Sequence, residues 1–168
     1  LIGDLFYTDI SGNRGADSGG LFTSANLGLK LTMFSGYAAY RVDETSRSSI
    51  DLAAGFRAYD MQVDGALNTG GGASVPFGGS ESWVDPIIAI RGNWALSEKW
   101  LLTGFADIGG FGVGSDLTWQ VMATFDYQLN DSWALRFGYR YLEIDKPVGG
   151  NDLKTGISGP IFGATYRF

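Results

Sequence analysis

The chain has 168 residues, which suits a single domain over 1–168, and its net charge of -6 argues against nucleic acid as a partner. It has no cysteine, which removes disulfides and thiolate metal sites, and no histidine, which removes the usual Ser-His and Asp-His catalytic machinery. Mean hydropathy is only +0.02, and no run approaches the ~20 apolar residues of a spanning helix, so any membrane role has to come from strands.

The 26 glycines and 14% aromatic residues favour a β-rich chain with many turns. Leu1 to Ile10 reads as a short first strand. The opening LIGDLFYTDI has no basic segment followed by an apolar run, which is expected of a mature or trimmed exported chain. From Leu27 to Val42, Leu27, Leu29, Leu31 and Met33 share one face, but Tyr40 joins it out of phase with Arg41 opposite. That flip predicts a β-bulge near Met33 to Ser35. Ile50 to Asp60 sets Leu52, Ala54, Phe56 and Ala58 against Asp51, Gly55, Arg57 and Tyr59. Trp83 to Leu96 sets Val84, Pro86, Ile88, Ile90, Trp94 and Leu96 against Asp85, Arg91 and Asn93.

Trp100 to Gly109 places Leu102, Ala106 and Ile108 opposite Thr103 and Asp107. The clearest alternation runs from Asp116 to Leu129, with Leu117, Trp119, Val121, Ala123, Phe125 and Tyr127 opposite Thr118, Gln120, Met122, Thr124 and Asp126. Next, Trp133, Leu135, Phe137, Tyr139 and Tyr141 oppose Arg136, Gly138 and Arg140. The final strand opposes Pro160, Phe162, Ala164, Tyr166 and Phe168 to Gly163, Thr165 and Arg167.

Eight such strands predict an all-β, antiparallel, up-and-down transmembrane β-barrel. Arg57, Asp85, Arg91, Asp107, Asp126, Arg136 and Arg140 are read as a polar network lining its lumen, paired because buried charges must be. Trp94, Trp100, Tyr127 and Trp133 near one end, with Trp119 and Tyr141 near the other, form the aromatic girdle of a lipid-facing surface. A soluble barrel would also alternate, but the girdle weighs against it.

The connections alternate short and long. Leu96 to Lys99 and Leu129 to Ser132 are tight turns, and Val42 to Ser49 is moderate. Ser11 to Ser24, Asp64 to Glu81, Gly110 to Ser115 and Ile144 to Asp152 are expected as loops on the other side, most of them long and Gly-rich. Short periplasmic turns and longer external loops put both termini on the periplasmic side.

Two resemblances follow from these residues. Pro160, Phe162, Ala164, Tyr166 and Phe168 resemble the C-terminal β-signal of bacterial outer-membrane proteins. That resemblance implies handling by the barrel-assembly machinery and residence in a Gram-negative outer membrane, among outer-membrane lipid and lipopolysaccharide. Ser82 to Pro86, Thr103 to Gln120 and Leu135 to Tyr141 look like a group of functionally unassigned proteobacterial outer-membrane barrels. Members of that group carry more sequence ahead of this starting point, so the resemblance allows eight strands with a trimmed start or ten with two beyond this chain.

The expected role is that of a non-enzymatic, porin-like cell-envelope protein, structural or surface-exposed, whose external loops meet a protein partner. The alternatives are a narrow passive channel for small polar solutes or ions, and a barrel enzyme acting on lipid through acidic residues. No cofactor or metal is expected. Asp9, Asp17, Asp64, Asp116 and Asp152 lack Ca²⁺-loop spacing, and Thr69 to Ser74 lacks the GK[ST] ending of a phosphate loop. Leu21, Phe22, Val75 to Phe77 and Phe111 are apolar loop residues that either meet a partner or pack over the barrel mouth.

Overall fold

The computed structural model describes residues 1–15, 22–148 and 151–166. They form eight strands: β1 (Ile2–Gly15), β2 (Phe22–Glu44), β3 (Ser48–Thr69), β4 (Ser74–Ala95), β5 (Trp100–Gly110), β6 (Leu117–Gln128), β7 (Trp133–Val148) and β8 (Asn151–Tyr166). They pair antiparallel in sequence order, β1 through β8, as an up-and-down sheet. The expected strands are therefore present, and most are longer than the alternation indicated.

The tight turns are built by side chains that mimic backbone acceptors. Ser97 Oγ accepts from the Lys99 and Trp100 amides at 3.3 and 3.2 Å, between β4 and β5. Asn130 Oδ1 accepts from the Ser132 and Trp133 amides at 3.1 and 3.0 Å, between β6 and β7. Thr45 Oγ1 does the same for Arg47 and Ser48 between β2 and β3.

Three expected loops are largely strand: Ser11 to Ser24 is strand over 11–15 and 22–24. The Asp64 to Glu81 segment continues β3 to Thr69 and resumes as β4 at Ser74, with Gly72 at φ +82° in the turn. Ile144 to Asp152 is strand up to Val148 and again from Asn151. In the β3–β4 hairpin Gly65 lies beneath the Phe77 ring, where an added Cβ would fall 2.3 Å from Cζ. An aromatic ring so placed covers the glycine, which explains how a Gly-rich stretch keeps strand geometry. The segment after β5 is a true loop, with Gly110, Phe111 and Gly112 all at positive φ. Leu21 and the rest of 16–21 lie outside the described residues.

The chain divides into two compact units. One comprises Leu1–Ile2, Gly36–Phe56 and Asp85–Phe168, and the other Gly3–Ser35 and Arg57–Val84. The first unit has an inverted pattern. Leu52, Phe56, Ile88, Ile90, Val121, Phe125, Leu135 and Phe137 are exposed, while Asp51, Asp85, Thr103, Asp107, Gln120, Thr124 and Asp126 are buried. A small apolar cluster of Tyr37, Ile87, Ala89 and Phe105 sits on the same buried face, with Ile2, Ala53 and Met122 packed against it. Part of the second unit has the ordinary pattern: Leu31, Met33, Tyr59 and Met61 are buried, while Lys30, Asp60, Gln62 and Asp64 are exposed; elsewhere in it Ser35 and Arg57 are buried and Leu5, Tyr7, Phe34 and Val84 exposed.

This accounts for the phase flip in β2. Burial alternates without interruption through Leu31, Met33, Ser35 and Tyr37, and the strand runs unbroken over Phe22–Glu44. The expected bulge at Met33 to Ser35 is corrected to a continuous strand. What changes there is which face carries the apolar side chains: the buried one at Leu31 and Met33, the exposed one at Phe34, Tyr40 and Val42.

Candidate functional site

The buried face of the first unit concentrates the chain's polar chemistry, and strand pairing dictates its partners. Residues directly opposite on neighbouring antiparallel strands have adjacent side chains. Asp126 faces Arg136 across β6 and β7, and Arg136 donates from Nε and Nη2 to the two carboxylate oxygens at 2.6 and 2.8 Å. That two-pronged geometry is the strong form of the pair. Asn93 faces Thr103 across β4 and β5. The Thr103 hydroxyl donates to Asn93 Oδ1 at 3.0 Å, and Asn93 Nδ2 donates to Ser49 Oγ at 3.2 Å.

Asp51 is the centre of the densest cluster. It accepts from Arg41 Nε at 2.8 Å and from Arg91 Nε and Nη2 at 3.0 and 2.7 Å. Arg41 also donates to Glu44 at 3.0 Å. Asp51 is 3% exposed, and two guanidinium groups supply the charge that its burial demands.

Further along, Asp107 faces Gln120 across β5 and β6. Tyr37 Oη donates to Asp107 Oδ2 at 2.8 Å, and Gln120 Nε2 donates to the same oxygen. The Tyr37 ring meets Phe105 edge-on, with centroids 5.6 Å apart. Asp85 is fully buried and accepts from the Ser115 amide at 2.7 Å. Lys146 Nζ donates to the Gly114 carbonyl at 2.9 Å. These two contacts hold the Gly110 to Asp116 loop, whose Phe111 and Val113 are exposed at its tip.

The seven residues read as one network are thus placed as follows. Arg91, Asp107, Asp126 and Arg136 make the contacts just described, and Asp85 anchors the loop at Ser115. Arg140 lies on the same face, half-buried and opposite Met122 and Gly159. Arg57 belongs to the second unit, where it is fully buried and donates from Nε to Ser35 Oγ at 2.9 Å. Sequence reasoning missed Arg41, Asp51, Tyr37 and Gln120 as members. Their phase in the alternation was the available signal.

The aromatic residues fall on the exposed face in two groups. Trp100 contacts Tyr127 and Phe137 at centroid distances of 4.8 and 5.8 Å. Trp133 and Trp94 are exposed at the same strand ends, and the Trp94 ring lies over Gly92 and Gly104. The other group has Trp119 and Tyr141 at 5.0 Å. Both reach Glu143, with Trp119 Nε1 donating at 3.4 Å and Tyr141 Oη at 2.9 Å. Of the assembly-signal residues, Phe162 and Ala164 are exposed on β8 and Tyr166 pairs by its backbone with Trp133. Phe168 lies outside the described residues.

Chemically, this face holds carboxylates in place with arginines, amides and hydroxyls. Among the described residues no three acidic side chains gather in a way that could hold a metal ion. Comparison with protein-family models, with curated proteins and with solved structures finds no match for the chain.

Proposed function

We propose that the chain is an integral β-barrel protein of a bacterial outer membrane, non-enzymatic, with a lipid-facing outer surface and a paired polar interior. One observation carries this reading: the first unit exposes large apolar side chains such as Leu52, Ile88, Val121 and Leu135 and buries the carboxylates of Asp51, Asp85, Asp107 and Asp126. In water that arrangement is unfavourable twice over, since exposed apolar area costs about 25 cal/mol per Å² and buried charges are expensive even when paired. In a bilayer the apolar face is solvated by acyl chains, and only helices or closed barrels satisfy their backbone there.

The aromatic spacing supports the same reading. Trp119 and Tyr127 are eight positions apart on β6, as are Trp133 and Tyr141 on β7. Eight residues span ~26 Å along a strand, or ~20 Å across a bilayer at a tilt of ~40°, close to the ~25 Å apolar band of such barrels. Glu143 gives the Trp119 and Tyr141 polar atoms a partner at the level where headgroups begin. Outer-membrane lipid and lipopolysaccharide, and the barrel-assembly machinery during insertion, are the partners this placement implies. The Gly110 to Asp116 loop, fixed by Asp85 and Lys146 with an exposed Phe111, suits contact with a protein partner.

Cell fractionation tests the proposal. The full chain, exported in a Gram-negative host, is expected in the outer-membrane fraction, resistant to an alkaline carbonate wash. It is also expected to migrate faster on a gel unheated than heated. Release by the wash, with identical migration in both states, would contradict it.

A further inference from the structure

Four strands change character at corresponding places. On β1 the exposed positions Leu5 and Tyr7 give way to Asp9, Ser11 and Asn13. On β2 exposed Phe34 gives way to Lys30, on β3 Phe56 to Asp60, Gln62 and Asp64, and on β4 Ile88, Pro86 and Val84 to Ser82 and Ser80. On β2 and β3 the opposite face changes in the complementary sense. Buried Ser35 gives way to Met33 and Leu31, and buried Asp51 and Arg57 give way to Tyr59 and Met61. Tyr59 also stacks on Trp83 with centroids 4.6 Å apart and planes 14° from parallel.

The first polar residues at the change are tied together. Lys30 Nζ lies 3.9 Å from Asp9 Oδ2, and Ser82 Oγ donates to Asp60 Oδ2 at 2.7 Å. A strand that crossed from lipid into water would show this signature: apolar outside while in lipid, then apolar inside once in water. A change of fold is not needed, since each strand continues without a break.

We propose that the membrane boundary crosses β1 to β4 at Asp9, Lys30, Asp60 and Ser82. This belt meets the polar headgroup layer, and the strands beyond it stand in water with their own apolar face. The inference rests on the lipid-facing reading of the first unit. It reassigns much of what the sequence suggested were external loops to a water-exposed stretch of sheet.

The chain has no cysteine, so single substitutions report cleanly. Gln62→Cys and Ser80→Cys lie beyond the belt, and Ala54→Cys and Ala123→Cys lie on the exposed apolar face. Each full-length variant is reconstituted in phospholipid vesicles and treated with a charged maleimide on both sides of the bilayer. Gln62→Cys and Ser80→Cys are expected to react about tenfold or more faster than the other two, because the reagent is excluded from hydrocarbon. If all four resist, or if Ala54→Cys reacts quickly while Ala123→Cys resists, the boundary is misplaced and the inference falls alone. If Ala123→Cys also reacts quickly, the lipid-facing reading fails and takes the inference with it.

Discussion

Asp51→Leu is expected to destabilise the folded protein by about 2–3 kcal/mol, read as a lower midpoint in urea unfolding from lipid or detergent. The carboxylate accepts three hydrogen bonds from Arg41 and Arg91 and is itself buried. Removing it leaves two cations facing each other. A fully enclosed pair loses about 3–5 kcal/mol when one partner is deleted. The arginine side chains are 43% and 31% exposed, so water recovers part of that loss. Arg41→Leu should cost less, because Arg91 still neutralises the carboxylate. Equal losses for the two variants would sink the idea that Asp51 is the hub.

Gly138→Val is expected to cost about 2–3 kcal/mol or to block assembly, an overpacking effect at a close backbone approach. Gly138 pairs with Thr124 across β6 and β7. An added Cβ would fall 2.1 Å from the Ala123 carbonyl oxygen and 2.8 Å from Thr124 Cα. Those are backbone atoms, so the clash is relieved only by parting the strands. Gly163→Val is the control: nothing lies within 4 Å of its added Cβ, and valine suits a strand better than glycine does. It should be neutral or slightly stabilising. A Gly138→Val protein as stable as the control would show that the two strands separate at little cost.

The strands from β5 to β8 were readable because each keeps one environment per face over most of its length. Asp126 and Arg136 then fall opposite each other once the turn at Asn130 sets the register. Asp51 was harder. Alternation put it on the polar face, but Arg91 is 40 positions away, and nothing local announces such a partner. Tyr37 and Asp107 are 70 apart and share only their phase. The flip in β2 was visible as a pattern and assigned the wrong cause. An inserted residue and a change of surroundings produce the same shift of apolar positions, and only the burial of Leu31 and Met33 beside Ser35 separates them. The outer parts of β3 and β4 were read as loop because glycine and serine there obscure any apolar period, whereas Phe77 over Gly65 holds the strand geometry.

The exposed apolar face is expected to meet lipid. Four of the five tryptophans, Trp94, Trp100, Trp119 and Trp133, lie on that face near its two edges; Trp83 lies elsewhere, stacked on Tyr59. A Trp83→Phe variant reconstituted in vesicles of bromine-labelled phospholipid therefore reports the girdle alone. Bromine near the acyl carbonyl should quench its fluorescence strongly, and bromine near the chain terminus less, because indoles settle at the headgroup level. Fluorescence untouched by bromine at either depth would contradict the lipid-facing assignment.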